Sequence, residues 1–173
     1  NSFNELNSQT GKSMDDRMAE AMSIVRRSSA WSAGAGLIPI PLVDIGAIAA
    51  VQVKMIKDLA KLYNVEFPDV RVKAVSSGLA GSILPYLLAV GSSGYLLSMA
   101  KAIPIVGTVV AIAAMPGFAS AATYAVGKVF AQHFAGGGSL LDFDAEAKKE
   151  EIAKEFAEAR NDTKKAPSKP AVA

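Results

Sequence analysis

Cysteine is absent from this 173-residue chain. Its absence excludes disulfides and thiolate metal sites and agrees with a cytosolic or cytoplasm-facing location. Histidine occurs once, at His133, and with no cysteine and no acid nearby in sequence it can complete neither a metal cluster nor a catalytic triad. Aromatic residues are scarce, 7% of a chain that is 51% hydrophobic. The apolar excess lies in Ala, Gly, Ser, Val and Ile, small residues that let apolar helices approach closely. The most informative absence is charge of one sign. No Asp or Glu falls between Asp69 and Asp142, and that stretch holds two uncharged runs, residues 74–100 and 102–127, separated by Lys101 alone. Each exceeds the roughly 20 apolar residues that a helix needs to cross a bilayer core.

What is present follows the same division. Most acids lie in the first 20 positions or from Asp142 onward, leaving Arg71, Lys73, Lys101 and Lys128 without neighbouring acids in the middle. That bias suits an anionic lipid surface. A net charge of +2 is too small for a nucleic-acid binder, which would carry a strongly basic patch. Residues 1–12 are polar, and no secretory signal is expected in them.

The pattern predicts an all-α chain: a helical bundle of amphipathic and apolar Gly/Ala-rich helices, with a membrane-embedded hairpin as one form the uncharged runs could take. Residues 1–12 are expected to be a disordered polar N-terminus, 13–143 an apolar helical domain, 144–160 a charged C-terminal helix and 161–173 a disordered tail. Ser13 is a candidate N-cap with Asp16 three residues on, and Met14, Met18, Ala21, Met22 and Val25 share one helical face. Arg26, Arg27 and Trp31 at the edge of an uncharged segment fit a membrane interface. Pro39 and Pro41 break the chain, and Pro41 suits the first position of the next helix. From Leu42 to Tyr63 apolar residues recur at helical spacing opposite Lys54, Lys57, Asp58 and Lys61. Gln52 falls on the apolar side, where a buried amide needs a partner; it reads as a core or interhelix residue. Pro85, Pro104, Gly107 and the Pro116-Gly117 pair could divide the uncharged zone into pieces too short to span. Ala113, Gly117, Ala121 and Ala125 recur every four residues, a smooth stripe for helix packing or oligomerisation. Gly136-Gly137-Gly138 reads as a flexible break, and Asp142 or Asp144 as the cap of a final helix touching the rest only through Ile152 and Phe156.

Catalytic constellations are not apparent. Gly11-Lys12-Ser13 looks like the end of a phosphate-binding loop, yet Leu6 stands where the first glycine belongs and no strand precedes it, so no nucleotide site is expected. Asp44 is a lone acid in an uncharged segment, a functional candidate if membrane-embedded; its place in the first turn after Pro41 favours a structural role against the helix dipole.

Two blocks carry a family resemblance. Residues 36–44 (Gly-Leu-Ile-Pro-Ile-Pro-Leu-Val-Asp) with 52–63 (Gln-Val-Lys-Met-Ile-Lys-Asp-Leu-Ala-Lys-Leu-Tyr) form the first. The second comprises 103–107 (Ile-Pro-Ile-Val-Gly), 123–130 (Thr-Tyr-Ala-Val-Gly-Lys-Val-Phe) and Gln132-His133-Phe134, followed by Gly137-Gly138 and Leu141-Asp142-Phe143. Together they resemble the YcjF-like bacterial family, catalogued as a domain of unknown function, over roughly Ser28 to Phe143. Leu42 departs from it, standing where glycine is expected. The resemblance implies a helical module associated with the bacterial inner membrane, at times fused to or found beside GTPase domains, with no established reaction and no catalytic residues.

The resulting expectation is a non-enzymatic, membrane-associated scaffold or interaction module without cofactor or metal. Arg26, Arg27, Trp31, Arg71, Lys73 and Lys128 would meet lipid, while Gln52, Ala113, Gly117, Ala121 and Ala125 would pack helices and Pro39, Pro41 and Asp44 would shape a turn. Its partners would be an anionic membrane, a GTPase in trans and further copies of itself, not nucleic acid. The expected location is the inner membrane with termini facing the cytoplasm, or a peripheral cytoplasmic position. Two alternatives are a membrane-active effector that inserts an apolar hairpin and perturbs the bilayer, and a soluble helical domain enclosing an apolar ligand.

Overall fold

The computed structural model describes residues 13–35, 41–91 and 104–165, with the side chains of 35, 41–45, 69, 72, 73, 76, 104–115 and 163–165 outside the description. Every regular element among the described residues is helical: α1 (Met14–Ala35), α2 (Pro41–Leu62), α3 (Asp69–Gly78), a π-helical turn (Leu79–Ile83), α4 (Leu84–Gly91), α5 (Pro104–Ala135) and α6 (Lys149–Lys165). Of the expected turn-forming residues, Pro39 lies outside the described residues, while Pro41 opens α2 and Asp44 stands in its first turn.

The local signals act as their chemistry dictates. Ser13 Oγ accepts from the Asp16 amide at 3.1 Å, satisfying a donor at the start of α1. Ala21 and Val25 of its apolar face are fully buried and Met18 and Met22 partly so, whereas Met14 is exposed. Along α2, Ile48, Met55, Ile56 and Leu59 are buried, while Lys54, Lys57 and Lys61 face water. Asn64 ends this helix at φ 55°, with its amide on the Lys61 carbonyl and the Val65 amide on that of Ala60. That paired closure around a left-handed residue satisfies two terminal carbonyls.

Two proline expectations change. Pro116 does not divide the second run, because α5 continues through it. One lost backbone bond costs little beside the burial of Phe118, Ala119, Ala121 and Ala122 that follows. Pro85 is preceded by the π turn, where the Leu84 amide reaches back to Leu79. Widening the turn by one residue relieves the clash of a proline ring with the preceding turn. The hairpin expectation also changes. Leu79, Ile83, Leu84 and Leu87 of the first run and most of 118–127 in the second are buried within the bundle, and among the described residues no helix is long and apolar enough to cross a membrane.

α5 is the central element, packed most extensively on α1 and then on α6 and α2. Small side chains permit this. A β-carbon on Gly127 would lie 2.6 Å from Met55 Sδ and 2.8 Å from Val25 Cγ2, so α1 and α2 both close onto α5 at that level. The glycine triplet after α5 is a helix cap rather than a loose break. Gly137, at φ 86°, bonds the Phe134 carbonyl and Gly138 that of His133. Finally, α6 runs past residue 160 to Lys165, since the first helix breaker beyond is Pro167.

Candidate membrane-facing end

The helices meet at identifiable levels. Thr123 of α5 donates to Ser32 Oγ of α1 at 2.7 Å and accepts from Gln52 Nε2 of α2 at 3.4 Å. Four residues further along α5, Gly127 meets Val25 and Met55. The order of these pairs makes α1 antiparallel and α2 parallel to α5. Gly91, at the end of α4, lies against Phe156, whose ring packs edge-on against Phe118 at 5.4 Å. The C-terminal ends of α1, α4 and α6 therefore share one end of the bundle with the N-terminal ends of α2 and α5, and α6 brings the charged Arg160 there, onto the Gly91 carbonyl. The chain leaves that end at Ala35 and Gly91 and returns at Pro41 and Pro104.

Helix length makes this end uneven. At about 1.5 Å per residue, α5 extends about 28 Å beyond the Thr123 level, α2 about 16 Å and α1 about 5 Å. The part of α5 that extends past α2, about eight residues from Pro104, reads Pro-Ile-Val-Gly-Thr-Val-Val-Ala, and the connections 36–40 and 92–103 carry Lys101 as their only charge. Trp31 is 72% exposed here and Val90 47%, joined by exposed Gly34, Gly46, Ala50 and Gly117. Arg26 and Arg27, also exposed, lie about one turn before Trp31 on α1.

The other expected site residues are distributed differently. Arg71 is exposed and lines a small cavity with Phe130 and Phe143 at the opposite end; the side chains of Lys73 and Ala113 lie outside the described residues. Lys128 is tied inward, donating to Glu155 of α6 at 2.6 Å. That hydrogen bond is the main reason its pKa is raised. Ala121 and Ala125 are buried and Gly117 is open. Gln52 is fully buried with its Oε1 unpartnered, an arrangement that costs about 1–3 kcal/mol.

The opposite end contains an assembly that sequence reading missed. Phe143 stacks on Phe130 with centroids 3.8 Å apart and meets the His133 ring edge-on at 5.2 Å. His133 Nε2 lies 2.8 Å from the Ser139 carbonyl, so that nitrogen carries the proton. Asp142 accepts from the Ser139 amide and hydroxyl at 2.6 and 2.5 Å, bonds that hold its carboxyl below the usual range. Asp144 caps the turn into α6 through the amides of Glu146 and Ala147. Nearby, Tyr63 lines a cavity of about 370 Å³ with Phe134, Gly137 and Leu140. Its hydroxyl is buried without a partner, and burial raises its pKa. Among the described residues no group of three or more His, Asp or Glu is placed to hold a metal ion. The spacing of Gln132-His133-Phe134 and Leu141-Asp142-Phe143 was visible in sequence, but their stacking is a tertiary fact.

Comparison with known proteins decides the family. The family model described as Domain of unknown function (DUF697) matches residues 4–161. The chain belongs to that family. It is the family that the two sequence blocks resemble. Magnetosome membrane protein 22 of Magnetospirillum gryphiswaldense is 34% identical to this chain over 113 residues, covering 65% of this chain and 56% of the relative. The chain thus spans little more than half of that protein. No solved structure matches.

Proposed function

We propose that this chain is a non-enzymatic, membrane-associated helical module whose end bearing the apolar connections rests in or against a bilayer and whose capped end faces water. The observation that carries the proposal is that the chain leaves one end of the bundle at Ala35 and Gly91 and returns there at Pro41 and Pro104, with the N-terminal turns of α5 and exposed Trp31, backed by Arg26 and Arg27, at the same end, while the sequences of 36–40 and 92–103 carry one charge. Apolar segments enter the hydrocarbon boundary, tryptophan settles at the headgroups and arginine meets anionic phosphates. The printed name of the magnetosome relative supports the same reading. The module works beside a GTPase supplied by another protein, associates with further copies through small-residue faces, and sits at the bacterial inner membrane with its termini on the cytoplasmic side.

Flotation with phosphatidylglycerol vesicles tests this. The protein is expected to float with them, more weakly with phosphatidylcholine, and to leave an entrapped dye inside. Protein that stays at the bottom of both gradients contradicts membrane association. Floating with rapid dye release would replace the scaffold by the membrane-perturbing alternative.

A further inference from the structure

α6 is attached to the bundle by a short apolar seam and several charged side chains. In a helix of 17 residues, only Ile152, Ala153 and Phe156 are buried among the described side chains. Ala159 is partly buried against the core, and polar attachments reach Gly91, Tyr86 and Lys128. Arg160 donates to the Gly91 carbonyl at 2.5 Å, closing the exposed C-terminus of α4. Lys149 lies 4.6 Å from the centre of the Tyr86 ring, and Glu155 takes the Lys128 ammonium. Phe156 and the Arg160 guanidinium fill the notch at Gly91, where even a β-carbon would lie 2.6 Å from the Phe156 ring and 3.1 Å from Arg160 Nη1. The two ends of the α6 region also differ in how they are fixed. At its start, Phe143 stacks on Phe130 and Asp144 caps the turn; towards Arg160, part-buried charged ties flank the single buried ring of Phe156.

We infer that α6 is a releasable strap, hinged beside Phe143 and Asp144, that holds α4 and α5 in the closed bundle and limits how far their uncharged runs engage a bilayer. Release uncovers the Gly91 notch and Phe118 and leaves Lys128 without its acid, next to an apolar run. A free lysine there extends its ammonium to lipid phosphates while its stem stays in apolar surroundings. An anionic surface itself promotes release, since it competes with Glu155 for Lys128 and repels the acids of α6. This inference rests on the membrane-associated reading and adds its regulation.

The test uses the full chain carrying Glu155→Ala with Arg160→Ala, which removes two ties and leaves the net charge unchanged. Hydrogen exchange of α6 amides is measured in solution, and affinity is measured for mixed phosphatidylglycerol and phosphatidylcholine vesicles. α6 exchange is expected to accelerate about tenfold, as loss of charged hydrogen bonds implies, and vesicle affinity to rise several-fold. Lys154→Ala with Asp162→Ala, both on the exposed face and also charge-neutral overall, should match the parent in both readings. Arg160→Gln, a milder change, should shift both in the same direction by less, and it serves if the double variant does not fold. Faster α6 exchange with unchanged or weaker vesicle binding overturns the strap while leaving the module intact. Unchanged exchange overturns it too, because the ties then hold nothing. If parent and variants all fail to bind vesicles, the membrane reading falls and takes the strap with it.

Discussion

The two ends of this bundle are built by opposite means. At the capped end, four helix termini are closed by specific devices: Ser13 at the start of α1, Asn64 after α2, the Gly136–Gly138 cap after α5 and Asp144 before α6. Aromatic rings fill the space between them, with Phe130 contacting both Phe134 and Phe143. At the other end the helices differ in length, charges are nearly absent from the connections, and a tryptophan stands in the open. An end finished with caps holds itself together in water. An end finished with apolar chain and one exposed aromatic suits completion by something outside the molecule.

The comparison can be broken most sharply at Phe130. Phe130→Ala removes a buried ring shared by two aromatic neighbours and is expected to cost about 3–5 kcal/mol of stability, read by denaturant unfolding. Trp31→Ser at the other end should change stability by no more than about 0.5 kcal/mol while weakening vesicle binding. Equal losses in unfolding would erase the distinction between the ends. Next in size, Val106→Asp puts an acid into the overhanging part of α5. Vesicle affinity should fall about tenfold or more in a titration on phosphatidylglycerol vesicles, whereas retained affinity would remove α5 from the contact.

A smaller effect lies at the boundary between the ends. Gln52→Leu removes the unpartnered amide, while Thr123 keeps its bond to Ser32. A gain of about 1 kcal/mol is expected, measured as a higher denaturation midpoint; a loss of that size would mean the amide is satisfied in solution. The smallest effect is that of pH on the capped end. The carboxyls of Asp142 and Glu146 are held below their ordinary values, first by the Ser139 hydroxyl and by Lys149 respectively. Each therefore contributes stability that is present above the ordinary carboxylate range and is lost as pH falls through the lower folded value. Amide exchange in 139–147 should accelerate there, after correction for intrinsic rates, before the apolar end changes.

Much of the fold was legible because it is locally encoded. The Ser13 cap, the start of α2 at Pro41, its basic outer face and the turn around Asn64 to Pro68 follow from residues within one or two turns of each other. The misread elements depend on distant partners. Pro116 reads as a breaker until the burial of Phe118 to Ala122 is known, and the glycine triplet reads as loose until the His133 and Phe134 carbonyls are seen to accept its amides. The partner of Lys128 was not legible either, because the acid that binds it lies 27 residues away. Gly127 was passed over in favour of the four-residue stripe, since only the approach of Val25 and Met55 makes it special. The apolar end was legible as composition alone; its convergence required the helix directions.

The most direct measurement uses the single tryptophan as a depth probe. With phosphatidylglycerol vesicles carrying brominated acyl chains, Trp31 emission should shift to shorter wavelength and be quenched. In Trp31→Phe with Leu141→Trp, a probe at an exposed position of the capped end, emission should stay water-like and unquenched. An unquenched Trp31 on vesicles that have demonstrably captured the protein, or equal quenching of both probes, would contradict the assignment of the end bearing the apolar connections to the bilayer.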